Sequence, residues 1–125
     1  MIVGLGIDIT EVHRIEDAIQ RYGGRFLQRV FTEAEIRYCE SKANRFERFA
    51  GRFAAKEAAM KAIGTGWKRG VRWRDFEVTR EPSGRPIMRF SGVAATFAER
   101  LGAKRALLSI THTSSQAMAQ VILET

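Results

Sequence analysis

The chain contains few of the residues that build covalent or metal-based scaffolds. Its 125 residues include one cysteine, two prolines and two histidines, which excludes an internal disulfide and a closed zinc site within one chain. The apolar opening, residues 1–10, has no basic segment before it and contains an acidic residue. We therefore expect neither a signal peptide nor a membrane-spanning helix, and we expect a cytoplasmic protein.

The remaining composition is that of a globular protein with an uneven charge. Hydrophobic residues make up 45% of the chain and charged residues 28%, so disorder and low complexity are excluded and a single domain over residues 1–125 is predicted. The formal net charge is +7, and residues 21–74 carry 14 basic residues against five acidic ones. This cationic middle suits a polyphosphate ligand, a nucleic acid or an acidic protein surface; the alternative is a solvated face kept soluble by charge.

The hydrophobic pattern predicts an α+β fold with a mainly antiparallel sheet packed against one long helix. Residues 3–9 alternate as a strand does, and the second face of this strand presents Gly4, Gly6 and Asp8, where another backbone or a ligand can approach closely. The predicted order is β-α-α-α-β-β-α-β-β. The later strands are expected over 71–79, 87–90, 106–110 and 117–123, and the helices over about 12–22, 32–39, 45–63 and 93–101.

Two of these helices begin at apparent capping boxes, Thr32 with Glu35 and Asn44 with Glu47. The long helix that follows the second box carries an apolar stripe, which we expect to pack on the sheet. It also carries a cationic stripe. Such a row of like charges most often lies exposed to solvent unless an anion neutralises it. The apolar stripe is Phe46, Phe49, Phe53, Met60 and Ile63; the cationic stripe is Arg45, Arg48, Arg52 and Lys56.

Two carboxylates stand in unusual settings. Asp8 lies among glycines and branched aliphatic residues, and Glu57 lies in a run of alanines, one turn before Lys61. If the core packs their elements together, the two carboxylates could share a hard cation such as Mg²⁺, which takes one or two carboxylates, waters and substrate phosphates. The alternative is an ordinary helix pair between Glu57 and Lys61, because 48 intervening residues fix no distance to Asp8.

Several catalytic motifs are absent. The glycine-rich, basic segment 64–70 follows a helix rather than preceding one, so it is not a Walker loop. No GxSxG, HExxH or Cys–His pair supports a nucleophilic hydrolase or a zinc peptidase. A lone histidine at a strand end, such as His112, is more often a hydrogen-bonded structural residue than a catalyst.

Four segments, taken together, resemble the bacterial holo-[acyl-carrier-protein] synthase family. They are 6–15, 50–66, 84–86 and 109–113, in family order and at family spacing. The resemblance implies a short-type 4′-phosphopantetheinyl transferase, which moves the phosphopantetheine arm of coenzyme A onto a serine of apo-acyl carrier protein, releases adenosine 3′,5′-bisphosphate and supports fatty acid biosynthesis. It further implies a homotrimer with each active site at a subunit boundary.

The resemblance also implies a role for each matching residue. Asp8 and Glu57 would bind Mg²⁺, and the catalytic pair would be Glu57 and Lys61, beside the diphosphate. The implied coenzyme A-binding residues are Arg45, Arg52, Gly64 and His112, with His112 from the neighbouring subunit; the implied carrier-protein-binding residues are Arg14, Arg21 and Arg25. Segment 40–49 matches the family in character but not in register, and Arg25 is displaced by one position. For the general base, Glu57, a water on the metal and another carboxylate are alternatives.

Two other interpretations compete with this one. A small nucleic-acid-binding module would explain the basic charge and the tryptophans Trp67 and Trp73, which stand among Lys68, Arg69, Arg72 and Arg74. It leaves Asp8 and Glu57 unexplained, and we therefore expect no nucleic-acid partner. Since no spanning segment is predicted, we also expect no membrane partner. The third interpretation, a degenerate family member kept for its trimer contacts, conflicts with the intact motif positions.

Overall fold

The computed structural model describes all 125 residues. The first half of the chain forms β1 (Ile2–Glu11) and four helices, α1 (Val12–Tyr22), α2 (Gly24–Val30), α3 (Glu33–Glu40) and α4 (Arg45–Ile63). The second half contains a short 3₁₀ turn (Trp73–Asp75), β2 (Phe76–Arg80), β3 (Pro86–Phe90), α5 (Gly92–Arg100), β4 (Arg105–His112) and β5 (Gln116–Glu124). None of the helices combines the length and the hydrophobicity that a membrane-spanning segment requires.

The strands form two antiparallel groups. The larger sheet has the order β1-β5-β4, and the smaller one is the β2–β3 hairpin. In the larger sheet Asp8 lies opposite Ala119, and His112 lies opposite Ala117. The predicted α+β class with a mainly antiparallel sheet on a long helix is therefore confirmed.

The glycines of β1 bring this strand into backbone contact with α4. A methyl group built on Gly6 would lie 1.8 Å from the carbonyl oxygen of Ala58, and one built on Gly4 would lie 2.4 Å from that of Ala62. The close approach predicted for this strand face is confirmed, and its partner is the helix backbone. Because only small side chains fit there, alanines form much of the buried core between α4 and the sheet.

The predicted packing of the phenylalanine stripe on the sheet is wrong for its N-terminal part. Phe49 is fully buried in a second cluster with residues of α1, α2 and α3, and Phe46 and Phe53 pack against that cluster. Phe31 from the α2–α3 connection lies 5.0 Å from Phe49, ring to ring. Met60 and Ile63, later in the helix, belong to the core that includes the sheet residues. The large rings therefore fill the space between α4 and the other helices.

Several predicted boundaries also change. Gly23, at φ 56°, ends α1 as predicted, but the chain at once enters α2, which the pattern does not reveal. Residues 71–75 are not a strand, because the backbone turns through the 3₁₀ segment before β2 begins. The capping box of Thr32 and Glu35 is confirmed, whereas Asn44 makes no side-chain cap and instead accepts a bond from Arg48 Nε at 3.2 Å.

Among the residues of the cationic stripe, Lys56 differs most from the predicted solvent exposure, because its side chain is fully buried. Its Nζ lies 2.8 Å from Glu35 Oε1 and donates to the backbone carbonyls of Trp73 and Phe76. Glu35 also accepts the backbone N–H groups of Thr32 and Val78, both at 2.8 Å. Burial lowers the pKa of Lys56, and the charge of Glu35 opposes that shift. The pair thus joins α3, α4 and β2 inside the protein.

Candidate functional site

The contact between β1 and α4 places the first two candidate residues side by side. Asp8 follows Gly6 on the same strand face, and Glu57 precedes Ala58, whose carbonyl oxygen meets that glycine. Glu57 lies within range of the charge of Asp8, which contributes to the raised pKa of Glu57. The sequence-based prediction that these distant carboxylates meet is consistent with this geometry.

The pKa of Glu57 is raised, first by burial and then by the negative charge of Asp8 and a hydrogen bond to it. The charges of Lys61 and Arg14 act in the opposite direction. Neighbouring ionised carboxylates repel each other, so the pair favours a cation. No cluster of three or more histidine, cysteine or acidic side chains could hold a metal alone. Two carboxylates nevertheless fit Mg²⁺, which completes its octahedron with waters and phosphate oxygens.

Lys61 reaches back from α4 to the end of this strand. Its Nζ donates to the Ile7 carbonyl oxygen at 3.0 Å and lies 3.3 Å from Asp8 Oδ1, while about half of the side chain stays exposed. The second carboxylate oxygen of Asp8 accepts the hydroxyl of Thr10 at 3.0 Å. Two donors thus orient Asp8, and the ammonium group of Lys61 remains accessible to an anionic ligand. In the structure Lys61 therefore forms its salt bridge with Asp8, which is distant in sequence. Helix spacing had suggested Glu57 as the partner of Lys61.

A second cluster, on another face of α4, is suited to an anion. Arg48, Arg52 and Arg80 line a cavity of about 190 Å³ together with Gly84, Pro86 and His112. The Nε atom of Arg52 is buried without a hydrogen-bond partner, and its guanidinium group lies 4.2 Å from the centre of the Tyr38 ring. An unsatisfied buried guanidinium nitrogen is costly, so this cavity has an unmet demand for an acceptor such as a phosphate oxygen.

Sequence reasoning missed two residues of this second cluster, Arg80 and Glu47. Glu47 Oε1 lies 2.9 Å from His112 Nδ1 and fixes the orientation of the ring. The apparent capping box assigned Glu47 a different partner, and nothing in the sequence placed the end of β2 beside α4. Only the folded chain brings together parts of three separate family-like segments here, at Arg52, at 84–86 and at His112.

The two clusters do not form one site within a single chain. Arg52 and Glu57 are five positions apart on α4, so their side chains leave the helix in directions that differ by about 140°. Asp8, Glu57 and Lys61 therefore occupy one side of the helix, whereas Arg52 and His112 share the cavity on the other side. Both halves are present in each chain.

Two predicted coenzyme A-binding residues lie outside the cavity. Arg45 pairs with Glu40 at 3.3 Å and stacks on the Phe46 ring. Gly64 has φ 80° and ends α4 in the left-handed conformation that glycine adopts without strain. In the structure Arg45 therefore forms a surface ion pair, and Gly64 ends a helix.

The predicted carrier-binding arginines are all exposed and lie near one another in sequence. Arg14 and Arg21 are two turns apart on α1, and Arg25 is on α2, where it lines a cavity with Tyr22, Phe26 and Arg29. None of the three arginines forms a salt bridge. Their positive charge is available to an acidic partner.

Comparisons with known proteins show the family to which the chain belongs. Residues 4–120 match the family model of the 4′-phosphopantetheinyl transferase superfamily. The chain is 66% identical to a holo-[acyl-carrier-protein] synthase of Koribacter versatilis and 60% identical to one of Solibacter usitatus, over 99% of this chain and 99% of each relative. It is also similar to solved structures.

The crystal structure of the Neisseria meningitidis holo-[acyl-carrier-protein] synthase has a TM-score of 0.90 at 30% identity, with 100% of both chains covered. The Bacillus anthracis synthase, solved in complex with CoA (3′,5′-ADP), has a TM-score of 0.82 at 39% identity, covering 100% of this chain and 98% of that one. The chain therefore belongs to the holo-[acyl-carrier-protein] synthase family of the 4′-phosphopantetheinyl transferase superfamily.

Proposed function

We propose that this enzyme transfers the 4′-phosphopantetheine group of coenzyme A to a serine of apo-acyl carrier protein, with Mg²⁺ as cofactor. The observation that carries the proposal is the carboxylate pair Asp8–Glu57 with the Lys61 ammonium group beside it. Support also comes from relatives, since the Bacillus anthracis and Helicobacter pylori synthases were solved with coenzyme A or its nucleotide part. The product released would be adenosine 3′,5′-bisphosphate, and the reaction would serve fatty acid biosynthesis in the cytoplasm.

The reaction needs charge neutralisation more than it needs a protein nucleophile. The serine oxygen bonds to the phosphorus that bears pantetheine, the bond from this phosphorus to the bridging oxygen breaks, and the nucleotide leaves with the electron pair. The serine proton passes to a base at the site. When bound, Mg²⁺ supplies positive charge at the diphosphate. Asp8 and Glu57 would hold it, and Lys61, whose side chain is half exposed, would pair with a phosphate oxygen.

The direct test is mass spectrometry of an apo-acyl carrier protein incubated with the enzyme, coenzyme A and Mg²⁺. We expect the carrier to gain the mass of one phosphopantetheine group, and no gain at saturating substrate would refute the proposal. Asp8→Ala and Glu57→Ala should abolish the gain while the fold persists. Glu99→Gln, which changes an exposed acid on α5, is the matched control and should retain full activity.

A homotrimer with shared active sites completes the proposal. The outer face of β1 exposes Leu5, Ile7 and Ile9, each by more than half, and Met118 and Leu107 extend this apolar face across β5 and β4. Such a continuous apolar face on a small protein marks an interface. Association of chains there would allow the Arg52–His112 cavity of one chain to face the Asp8–Glu57 pair of the next, which a single chain does not bring together.

Complementation between two inactive variants tests the shared site. Asp8→Ala and His112→Ala chains, each inactive alone, would be unfolded together and refolded at equal amounts. If each site combines Asp8 of one chain with His112 of its neighbour, random assembly restores about a quarter of the sites. No recovery, although native mass spectrometry shows mixed trimers, would place each site within one chain.

A further inference from the structure

The three arginines of the Arg52–His112 cavity have no acidic partner. Arg48, Arg52 and Arg80 line this cavity, and none of them forms a salt bridge. The one carboxylate in the lining, that of Glu47, is engaged by His112 Nδ1 at 2.9 Å. Because like charges in one place repel each other, these guanidinium groups need a different kind of neighbour to hold them.

That neighbour is the phenol ring of Tyr38 on α3. The guanidinium carbon of Arg52 lies 4.2 Å from the centre of the ring, and that of Arg80 lies 4.8 Å from it. The Tyr38 hydroxyl also accepts a hydrogen bond from Arg80 Nη1. A third cation, the Nζ atom of Lys42, lies 5.1 Å from the ring centre. The negative face of an aromatic ring attracts cations at such distances, so one ring holds side chains from α3, α4 and β2 together.

The ring acts on the cavity only through the arginines. Tyr38 is not among the residues that line the cavity, and its half-buried side chain packs against the helical cluster that contains Phe49. Arg52 is 4% exposed, and its Nε atom has no hydrogen-bond partner. The ring is therefore fixed by the core on one side and contacts the arginines on the other.

An aromatic ring differs from a carboxylate in what it leaves available. A carboxylate at this position would pair with Arg52 and Arg80 and would repel an approaching phosphate. The phenol is uncharged, so it orients the two guanidinium groups while their positive charge stays free for a ligand. Arginine suits this arrangement because its planar group can stack on a ring and still donate hydrogen bonds at its edge.

We propose that Tyr38 is a positioning residue, whose ring holds Arg52 and Arg80 in the orientation that binds a phosphate monoester of the donor substrate. The inference rests on the function proposed above. Coenzyme A carries a diphosphate and, on its ribose, a phosphate monoester. Since Asp8 and Glu57 would hold Mg²⁺ at the diphosphate, the monoester is the phosphate that remains for the cavity. The resemblance already implies a role for Arg52, whereas none of the family-like segments contains Tyr38 or Arg80.

The experiment compares two donors that differ by this one phosphate, coenzyme A and 3′-dephospho-coenzyme A. Their binding is measured by calorimetry with Mg²⁺ and without the carrier. Tyr38→Leu removes the ring, and we expect it to weaken coenzyme A binding about tenfold, the loss typical of one charge-assisted hydrogen bond. Binding of the dephospho form should not change. The matched control is Phe97→Leu, which removes a half-buried ring on α5 that lies 5.4 Å from the guanidinium carbon of Arg100. It should bind both donors as the wild type does.

A second variant, Tyr38→Phe, keeps the ring and the packing and removes only the hydroxyl group. It should weaken coenzyme A binding less than Tyr38→Leu, by about threefold. Because the hydroxyl acts through Arg80, this loss should disappear in an Arg80→Gln background. An undiminished loss in that background would show that the hydroxyl does not act through Arg80 and would overturn the positioning role.

The other outcomes separate this proposal from the function on which it rests. If the wild type transfers to the carrier but both Tyr38 variants bind coenzyme A normally, the positioning role is overturned and the function stands. Equal weakening of both donors by Tyr38→Leu would make the ring a general structural element and would also overturn the proposal. A wild type that transfers nothing, but whose preference for coenzyme A over the dephospho form is lost in Tyr38→Leu, would refute the function and support the positioning role.

Discussion

Among substitutions that add a single methyl group, we expect Gly6→Ala to destabilise this fold the most. The added methyl group would lie 1.8 Å from the Ala58 carbonyl oxygen, 2.8 Å from its carbon and 2.9 Å from the Ala62 nitrogen. All three atoms belong to the backbone of α4, so no side-chain rotation relieves the clash. To reach even a 3.0 Å contact, β1 must move 1.2 Å away from the helix.

The cost follows from that displacement. Overpacking a well-packed core costs about 1–3 kcal/mol, and the rigid helix backbone places this variant at about 3 kcal/mol or more on that scale. The same movement separates Asp8 from Glu57, because both positions depend on the strand–helix contact. A misplacement of about 1 Å at a reacting site can lower the rate about a hundredfold, so the folded variant should also be nearly inactive.

Urea unfolding followed by circular dichroism measures the first effect, with all proteins at one concentration because the unfolding of the proposed trimer would depend on concentration. The control is Gly24→Ala at the start of α2, where an added methyl group meets nothing within 4 Å. This control should unfold at the wild-type urea concentration or slightly above it, since it restricts the unfolded chain. Equal midpoints for Gly6→Ala and Gly24→Ala would refute the argument that backbone contact limits this position.

Three further results are expected from buried or half-buried groups. Lys56→Met leaves Glu35 as a buried carboxylate without its cation and should destabilise the protein by about 3–5 kcal/mol in urea unfolding. The double variant Lys56→Met/Glu35→Gln should recover part of that loss. Wild-type stability of the single variant would contradict the stabilising role of the ion pair. Burial raises the pKa of Cys39 to about 12, so its thiol should react with a disulfide reagent at neutral pH only after unfolding, and rapid labelling of the native protein would disprove its protection. The pKa of Glu57 is raised in the folded protein, so the folded protein binds this proton more tightly than the unfolded chain does. The free energy of unfolding therefore falls as the pH rises through that pKa. Glu57→Gln should remove this loss in metal-free protein, which unfolding measurements at mildly acidic and at neutral pH will check.

Local features were well determined by the sequence. Alternation in residues 3–9 predicted β1, the Thr32–Glu35 capping box predicted α3, and Gly64 marked the end of α4, because each depends on backbone conformation or on hydrogen bonds between near neighbours. The glycines on one face of β1 also predicted the close approach of another element, although they did not show which element it would be. Family-like segments predicted the transferase superfamily, which the comparisons confirm.

Tertiary structure alone decided the partners of these elements. The helical period shows which residues of α4 share a face, but not that Phe49 meets other helices, that Lys56 meets Glu35, or that Lys61 meets Asp8. These pairs are far apart in sequence, and their distances depend on how the chain packs as a whole. The separation of Asp8–Glu57 from Arg52–His112 onto two sides of α4 has the same origin: spacing along the chain carries no information about the neighbour that each face will meet.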